Sequence, residues 1–292
     1  MRLLPAVTIA AVAGLALASP AAAINSYNAA PAPERTEVGA YVALWDKTGD
    51  GVPDRFDWVC SGAMVDRDTF LTAAHCTTDW PEGTRHFISL EQDVQGDLDA
   101  LTAQGLTPSE QAATALARGW VVEATPHWDP AYPGPSSNAH DIAVLDTADR
   151  AVSPADVWTF TPATLPAAGL LDTLPRRDLE AARWWAVGYG TQEAARGPGG
   201  LTHPGGGIRM KAQLGFNTIN KSWVRLSMIA AQGWGGACYG DSGGPDFLEY
   251  DGHLVLAATT ITGDGPCYAT NVVYRTDTAS ARAFLVPFVA LP

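Results

Sequence analysis

The stretch Cys238-Tyr239-Gly240-Asp241-Ser242-Gly243-Gly244-Pro245 predicts more about this chain than any other. Its serine lies among glycines, and glycine adopts backbone conformations with positive φ that other residues avoid. Such a backbone can turn several N–H groups toward one point beside the serine hydroxyl, as the stabilisation of an oxyanion requires. Because serine alone is a weak nucleophile, this interpretation also requires a base and a group that orients the base.

Two upstream segments offer those groups. His75 lies in Leu71-Thr72-Ala73-Ala74-His75-Cys76, and Asp141 lies in His140-Asp141-Ile142-Ala143-Val144-Leu145. Their order with the serine, His then Asp then Ser, differs from the order in subtilisin and in α/β-hydrolases. His140 is an alternative base, but as the residue before Asp141 in a strand it would point to the opposite face.

Together, Thr72–Cys76, Asp141–Leu145 and Gly240–Pro245 resemble the chymotrypsin/trypsin family of serine endopeptidases, in a secreted, bacterial-type form. The resemblance covers roughly residues 38 to 288. It implies an all-β fold of two six-stranded antiparallel barrels, with the active site in the cleft between them. Short β-rich runs separated by Gly, Asp and Pro agree with an all-β fold.

The same resemblance assigns the functional residues. It implies that Ser242 is the nucleophile, His75 the base and Asp141 the carboxylate that orients the base. It places the oxyanion hole at the N–H groups of Gly240 and Ser242. Four cysteines allow three pairings by counting, and the resemblance implies the pairs Cys60–Cys76 and Cys238–Cys267.

The pocket for the substrate residue before the scissile bond is partly predicted. Trypsins carry an aspartate six residues before the serine, whereas this chain has Gly236, followed by Ala237. Without that carboxylate we expect no preference for Lys or Arg. Gly263 would keep one wall open, and Val272 on the other wall would shorten the pocket. We therefore expect a preference for small or medium apolar residues.

Asp241 needs a cation if it is buried, because an unpaired buried carboxylate is costly. In the family this residue pairs with the amino group released by proteolytic activation. The chain has no Ile-Val-Gly-Gly sequence, and Glu37-Val38-Gly39-Ala40 is the nearest match. Three sources stay open: an amine at Val38, an amine at Ile24 after removal of a signal peptide, or an internal Arg or Lys.

Residues 1–23 predict export. They contain Arg2, the apolar run Leu3 to Ala18 and then small residues up to Ala23, as in a secretory signal cleaved after Ala23. The alternative, a transmembrane anchor, needs a longer apolar run. An even number of cysteines agrees with a secreted protein.

Composition restricts the partners. The chain of 292 residues is 47% apolar, enough to bury the core of one large domain or two small ones, and carries a formal net charge of −13. Without Arg2 the basic residues fall from 18 to 17 against 31 acidic ones, a net charge of −14. This charge argues against binding to nucleic acid or an anionic membrane. We expect a monomer that acts on a protein or peptide substrate.

The chain divides into four segments. We predict a signal peptide over 1–23, a propeptide or loosely held arm over 24–37, an N-terminal barrel over 38–155 and a C-terminal barrel over 156–292. A capping-box pattern at Thr107-Pro108-Ser109-Glu110 predicts a helical insertion that ends near Gly119. A further helix is predicted over Thr278 to Phe288.

A second motif has the spacing of an EF-hand calcium loop. Its candidate ligands occupy loop positions 1, 3, 5, 7, 9 and 12 and are Asp46, Thr48, Asp50, Val52 (through its carbonyl), Asp54 and Asp57. Two of them depart from the pattern, since Thr48 replaces Asp or Asn and Asp57 replaces a bidentate Glu. The alternative is an acidic, solvated hairpin loop. No cofactor is expected for the chemistry itself, so calcium would be structural.

Two other functions stay open for the whole chain. One is a catalytically silent homologue that binds proteins through the cleft, which the missing activation sequence favours and the complete triad disfavours. The other is an esterase that uses the same three residues. Reactivity of Ser242, and turnover of amides against esters, distinguish these functions.

Overall fold

Strands form most of the regular structure in residues 24–197 and 199–292, the part of the chain that the computed structural model describes. The predicted signal peptide, residues 1–23, lies outside the described residues. The strands are β1 (Ala30–Pro31), β2 (Val38–Trp45), β3 (Arg55–Met64), β4 (Thr69–Thr72), β5 (Arg85–Ser89), β6 (Val122–Trp128), β7 (Ala143–Asp146), β8 (Arg183–Gly188), β9 (Ala195–Gly197), β10 (Gly200–Thr202), β11 (Met210–Ile219), β12 (Trp223–Ser227), β13 (Pro245–Tyr250), β14 (His253–Gly263) and β15 (Thr270–Arg275).

Twelve of these strands form two closed antiparallel barrels. The first barrel has the order β2-β3-β4-β7-β6-β5. The second has the order β8-β11-β12-β15-β14-β13 and closes because β8 pairs with both β11 and β13. The predicted fold of two six-stranded barrels is confirmed. Closure satisfies the backbone of every strand in the ring, which gives a rigid support for the loops at the barrel ends.

Short helices connect and cover the barrels. They are α1 (Ala74–Thr77), α2 (Val94–Thr102), α3 (Pro108–Arg118), α4 (Pro154–Val157), α5 (Leu170–Thr173), α6 (Arg176–Ala181) and α7 (Ala279–Leu285). In α3 the Thr107 N–H donates to the Glu110 carboxylate at 2.9 Å, and Gly119 ends the helix with φ 70°. This is the predicted helical insertion, and α7 is the predicted C-terminal helix. No helix in the described ranges combines the length and apolar character needed to cross a membrane.

Helix α2 was not predicted. Gly96 and the acidic residues beside it are weak helix formers, so residue propensities do not indicate a helix in this segment. A usable signal was present, however, because Val94, Leu98 and Leu101 recur at helical spacing and are buried. Asp93 begins the helix by accepting the Gly96 N–H at 2.8 Å.

Residues 24–37, predicted as a propeptide or a loosely held arm, pack on the second barrel. Ile24 is fully buried in the core of that barrel, and β1 pairs with β11. The Asn25 N–H donates to the Gly236 carbonyl at 2.8 Å. The arm is therefore part of the folded second barrel, next to the loop that carries Ser242.

A buried arginine joins the arm and the two barrels. The guanidinium of Arg209 donates to the carbonyls of Ala32 at 3.1 Å, Val38 at 2.8 Å and Leu90 at 3.1 Å. Arg209 is only 3% exposed. These carbonyls belong to the arm, to β2 and to the segment after β5, so a single side chain links three separate parts of the chain.

Candidate active site

The first barrel brings His75 and Asp141 to the same end. Strand β4 pairs with β7 in antiparallel register, with Thr72 opposite Ala143. His75 follows Thr72 closely and Asp141 precedes Ala143 closely, so both emerge beside one another. The His75 Nδ1 lies 2.8 Å from Asp141 Oδ2, and the His75 backbone N–H donates to Oδ1 at 2.9 Å. Both carboxylate oxygens therefore hold the histidine in place.

Ser242 comes from the other barrel, on the loop that leads into β13. It lines the same cavity as His75, a cleft of about 350 Å³. The structure thus brings together the three residues predicted from sequence: the His–Asp pair at an end of one barrel and the serine on a loop of the other. A serine and a histidine facing one cleft is the arrangement that a hydroxyl nucleophile and its base require.

The loop before Ser242 has the geometry of an anion site. Gly240 has φ 92°, and a Cβ at this position would overlap the ring of Trp58. The carbonyl of Tyr239 accepts the Thr191 N–H at 2.7 Å. In the described ranges the N–H groups of Gly240 and Ser242 donate to no protein acceptor, so both are available to a developing oxyanion.

Ser61 positions this loop and was missed from the sequence. It lies on β3 of the first barrel and is fully buried. Its N–H donates to the Ser242 carbonyl at 2.9 Å, and its hydroxyl donates to the Gly240 carbonyl at 2.8 Å. The same hydroxyl accepts the Tyr189 N–H at 2.9 Å. The only local signal was a serine inside a predicted strand, between Cys60 and Gly62, which does not indicate a partner in the other barrel.

Asp241 is buried beneath the loop. Its carboxylate accepts the N–H of Gly190 at 2.8 Å and that of Cys238 at 2.8 Å. Burial raises the pKa of Asp241 to about 7, against the lowering effect of these two hydrogen bonds. Among the described residues, no Lys or Arg side chain forms a hydrogen bond or an ion pair with it.

Ile24 is the best placed of the three predicted cation sources. Its nitrogen donates to the Gly190 carbonyl at 3.1 Å, and Gly190 is the residue whose own N–H binds Asp241. Val38, in contrast, lies in β2, and its nitrogen donates to the Arg35 carbonyl at 3.0 Å. The structure therefore favours an amine at Ile24 over one at Val38.

Two of the four predicted substrate-pocket residues line the cavity beside Ser242. Ala237 and Gly263 line the cavity beside Ser242, whereas Gly236 and Val272 do not. Gly236 is packed against Met228. Asn271, the neighbour of Val272 on β15, is among the residues that line the cavity. Its side chain is 1% exposed and bonds Asp246 inside the second barrel, with Nδ2 3.1 Å from Asp246 Oδ1.

The four cysteines form the two disulfides that the resemblance implied, Cys60–Cys76 and Cys238–Cys267. The first ties β3 to the helical turn that carries His75. The second ties the serine loop to the loop between β14 and β15, and both of its cysteines line the cavity. Both bridges therefore hold segments of the candidate active site.

His140 belongs to a separate pair. Its Nδ1 lies 2.7 Å from Asp129 Oδ2, and the Asp129 N–H donates to the Ile142 carbonyl at 3.1 Å. This pair braces the turn on which Asp141 sits. His140 therefore contacts a different carboxylate from His75. The strand alternation predicted for it does not apply, because β7 begins at Ala143 and His140 has φ 52°.

The predicted calcium ligands lie around the turn between β2 and β3. The Asp46 carboxylate accepts the N–H groups of Gly49 and Gly51, each at 2.6 Å. Asp57 lies within β3 rather than in the turn, and its carboxylate accepts the Trp58 N–H at 2.8 Å. These bonds account for a well-formed acidic turn, and calcium binding there stays a prediction.

Two barrels with a His–Asp pair on one and a serine loop on the other define the chymotrypsin-like class of fold. The family model of trypsin matches residues 32–279. Because this match covers most of the chain, the protein belongs to the trypsin family. Members of this family are serine endopeptidases, so a protein or peptide substrate is implied.

Proposed function

We propose that this protein is a secreted serine endopeptidase that hydrolyses peptide bonds through an acyl-enzyme. The observation that supports this most is the cleft shared by His75 and Ser242, with both oxygens of Asp141 bound to His75. The family match supports the reaction class.

The first half of the reaction would acylate the serine. The Ser242 hydroxyl attacks the substrate carbonyl carbon while His75 Nε2 takes its proton. Asp141 holds the Nδ1–H tautomer and stabilises the imidazolium that forms. The negative charge that develops on the carbonyl oxygen would be bound by the N–H groups of Gly240 and Ser242, worth about 3–4 kcal/mol for each donor. His75 then protonates the departing amine, and the C–N bond breaks.

The second half would release the acid product. A water molecule takes the place of the amine, and His75 removes its proton as the oxygen attacks the acyl carbon. The same two N–H groups bind the second tetrahedral intermediate. His75 then returns this proton to the Ser242 oxygen as the bond between that oxygen and the acyl carbon breaks, which releases the acid and restores the enzyme.

Labelling of Ser242 tests this proposal. A fluorophosphonate probe should react with the wild-type protein and not with Ser242→Ala, since only the serine oxygen can displace its leaving group. Peptide turnover in Ser242→Ala should fall by a factor on the order of 10⁶. A folded wild-type protein that neither reacts nor cleaves peptides would support a catalytically silent, protein-binding homologue. Hydrolysis of esters without the matching amides would support an esterase.

Secretion and removal of a signal after Ala23 also form part of the proposal. The two disulfides support it, because such bridges persist in oxidising compartments. Sequencing the N-terminus of the secreted form tests it. Ile24 is the expected first residue, and a terminus at Val38 would instead indicate removal of a propeptide.

The predicted preference for small or medium apolar residues rested on Val272 as a wall of the substrate pocket. Because Val272 is not among the residues that line the cavity beside Ser242, that preference has lost its main argument. It stays a prediction, and kcat/KM for peptide substrates that differ only in the residue before the scissile bond tests it.

A further inference from the structure

Trp58 packs against one of the two glycine and serine N–H positions that form the proposed oxyanion hole. It lies on β3 of the first barrel, and its indole ring contacts the loop of the second barrel that carries Ser242. A Cβ on Gly240 would overlap ring carbon Cζ3 of Trp58, so the ring is in van der Waals contact with the Gly240 backbone. Gly240 can lie this close to the ring only because it has no side chain.

Two more glycines surround the same ring. A Cβ on Gly206 would lie 2.5 Å from Trp58 Cη2, and a Cβ on Gly207 would lie 2.8 Å from Trp58 Nε1. Both glycines precede β11, and the Gly207 N–H donates to the Tyr189 carbonyl at 2.6 Å. Two separate segments of the second barrel therefore provide a slot of glycine backbone, made by Gly206, Gly207 and Gly240, that holds one side chain of the first barrel.

Helix α2 fixes the indole in this slot through a single side chain. Trp58 Nε1 donates to Gln95 Oε1 at 2.8 Å. One turn further along the helix, Asp99 Oδ1 accepts from Gln95 Nε2 at 2.8 Å. Because an indole N–H can only donate and a carboxylate can only accept, the Gln95 amide has one orientation, with its oxygen toward Trp58.

The first turn of α2 is itself attached to the second barrel. The Gln95 N–H donates to the Gly207 carbonyl at 3.1 Å, and the Gln92 carbonyl accepts the Arg209 N–H at 2.9 Å. Gln92 Nε2 also donates to the Arg209 carbonyl at 2.7 Å. The helix is therefore held by the same segment that flanks Trp58, so α2, the ring and the glycine slot form one continuous contact between the barrels.

These contacts matter for the position of the Gly240 N–H. The Gly240 carbonyl accepts the Ser61 hydroxyl at 2.8 Å, and the Tyr239 carbonyl accepts the Thr191 N–H at 2.7 Å. Trp58 fills the space beside the α-carbon that lies between these two peptide groups. Without a fixed ring the loop could shift into that space, and a misplacement of about 1 Å in a catalytic group can lower a rate on the order of 10²-fold.

We infer that Trp58 and Gln95 are positioning residues for the oxyanion hole and that α2 is the element that holds them. Gln95 acts through the Trp58 indole, and Trp58 acts through the Gly240 backbone. Neither residue is among the described residues that line the cavity beside Ser242, so they should affect the chemical step rather than substrate binding. The inference rests on the proposed peptidase function.

Steady-state kinetics of matched variants test the inference. Gln95→Met keeps the side-chain length but removes the acceptor, and Trp58→Phe removes the indole N–H. Each should lower kcat about tenfold, less than the loss of a whole oxyanion donor, and change KM by less than about twofold. Trp158→Phe is the control, since it removes an indole hydrogen bond to Glu91 elsewhere on the first barrel, and its kcat should equal that of the wild type.

The double variant tests whether Gln95 acts through Trp58. Gln95→Met should lower kcat no further in the Trp58→Phe background, because the hydrogen bond between the two residues is already absent. Gln95→Glu, which retains an acceptor for the indole, should recover most of the kcat that Gln95→Met loses. Wild-type kcat in both single variants, or independent losses that multiply in the double variant, would overturn the inference.

A pair of inhibitors distinguishes a misplaced oxyanion hole from general damage. With a peptide aldehyde, the Ser242 oxygen bonds to the aldehyde carbon, its proton passes to His75, and the carbonyl oxygen becomes an oxyanion. The matching peptide alcohol cannot form this adduct. In Gln95→Met and Trp58→Phe the inhibition constant of the aldehyde should rise about tenfold, as kcat/KM falls, and that of the alcohol should not change. Equal weakening of both inhibitors would overturn the positioning role.

Fluorophosphonate labelling of the wild type separates this inference from the function on which it rests. A wild-type protein that is labelled and cleaves peptides, with variants that match it in kcat, would overturn only the positioning role. A wild-type protein that is not labelled would overturn the peptidase function and the inference with it. Should Trp58→Phe fail to fold, as thermal unfolding would show, Gln95→Met and the inhibitor pair still decide.

Discussion

A free amine at Ile24 should control the pH dependence of this protein through Asp241. The Ile24 nitrogen donates to the carbonyl of Gly190, whose own N–H donates to Asp241. An ammonium group at this position would lie close to the buried carboxylate. We compare two chains: one that starts at Ile24, and one that retains Ala23 and therefore has an uncharged amide there.

The size of the effect follows from the environment of Asp241. Without an ammonium, burial raises its pKa from 3.8 to about 7. At 1.36 kcal/mol per pKa unit this difference amounts to about 4 kcal/mol. A carboxyl whose pKa is higher in the folded state binds its proton more tightly when folded. The chain that retains Ala23 should therefore lose stability as the pH rises from about 4 to about 7, and the full loss should be present above pH 7.

The chain that starts at Ile24 should behave differently. Its ammonium pairs with the ionised carboxylate of Asp241, so the loss of stability between pH 4 and pH 7 should largely disappear. Stability should instead fall at alkaline pH, when the α-amine loses its proton, above its ordinary pKa of about 8. Because Asp241 lies next to Ser242 in the loop, kcat/KM should follow the same profile.

Denaturant unfolding and kcat/KM at pH 5 and pH 8 provide the measurement. The two chains should be closest at pH 5. At pH 8 they should differ by up to about 4 kcal/mol in the free energy of unfolding. As a control, Ser26→Ala in the chain that starts at Ile24 removes a hydrogen bond from the arm to Glu193. This variant should lower the free energy of unfolding by an amount that changes far less with pH. Identical profiles for the chains with and without Ala23 would refute the reasoning.

Two further predictions concern the loop supports and the acidic turn. Ser61→Ala removes the hydroxyl that joins Gly240 to Tyr189, so we expect a loss of about 1–3 kcal/mol in unfolding free energy and a lower kcat. Ser137→Ala, at an exposed serine, is its control, and equal kcat in both variants would contradict the positioning role. Calorimetric titration with calcium should give a binding heat in the wild type that Asp50→Ala lacks. A wild type with no heat would show that the turn between β2 and β3 is held by hydrogen bonds alone.

Local sequence signals determined a large part of this protein. The glycines around Ser242, the capping box at Thr107 and the β-rich runs between turn residues each act over a few positions, so they can be recognised without the fold. The resemblance then extended these signals to His75 and Asp141. The two barrels and both disulfides were predicted in this way and are confirmed.

The tertiary structure alone decided the features that depend on distant contacts or on register. Ser61 and Gly240 meet across the two barrels, and nothing near Ser61 in sequence indicates this. The contact between Ile24 and Gly190 appears only when the arm packs on the second barrel. Ala237 and Gly263 line the cavity beside Ser242, whereas Gly236 and Val272 do not. This difference depends on how β14, β15 and the serine loop pack together, which spacing along the sequence does not determine.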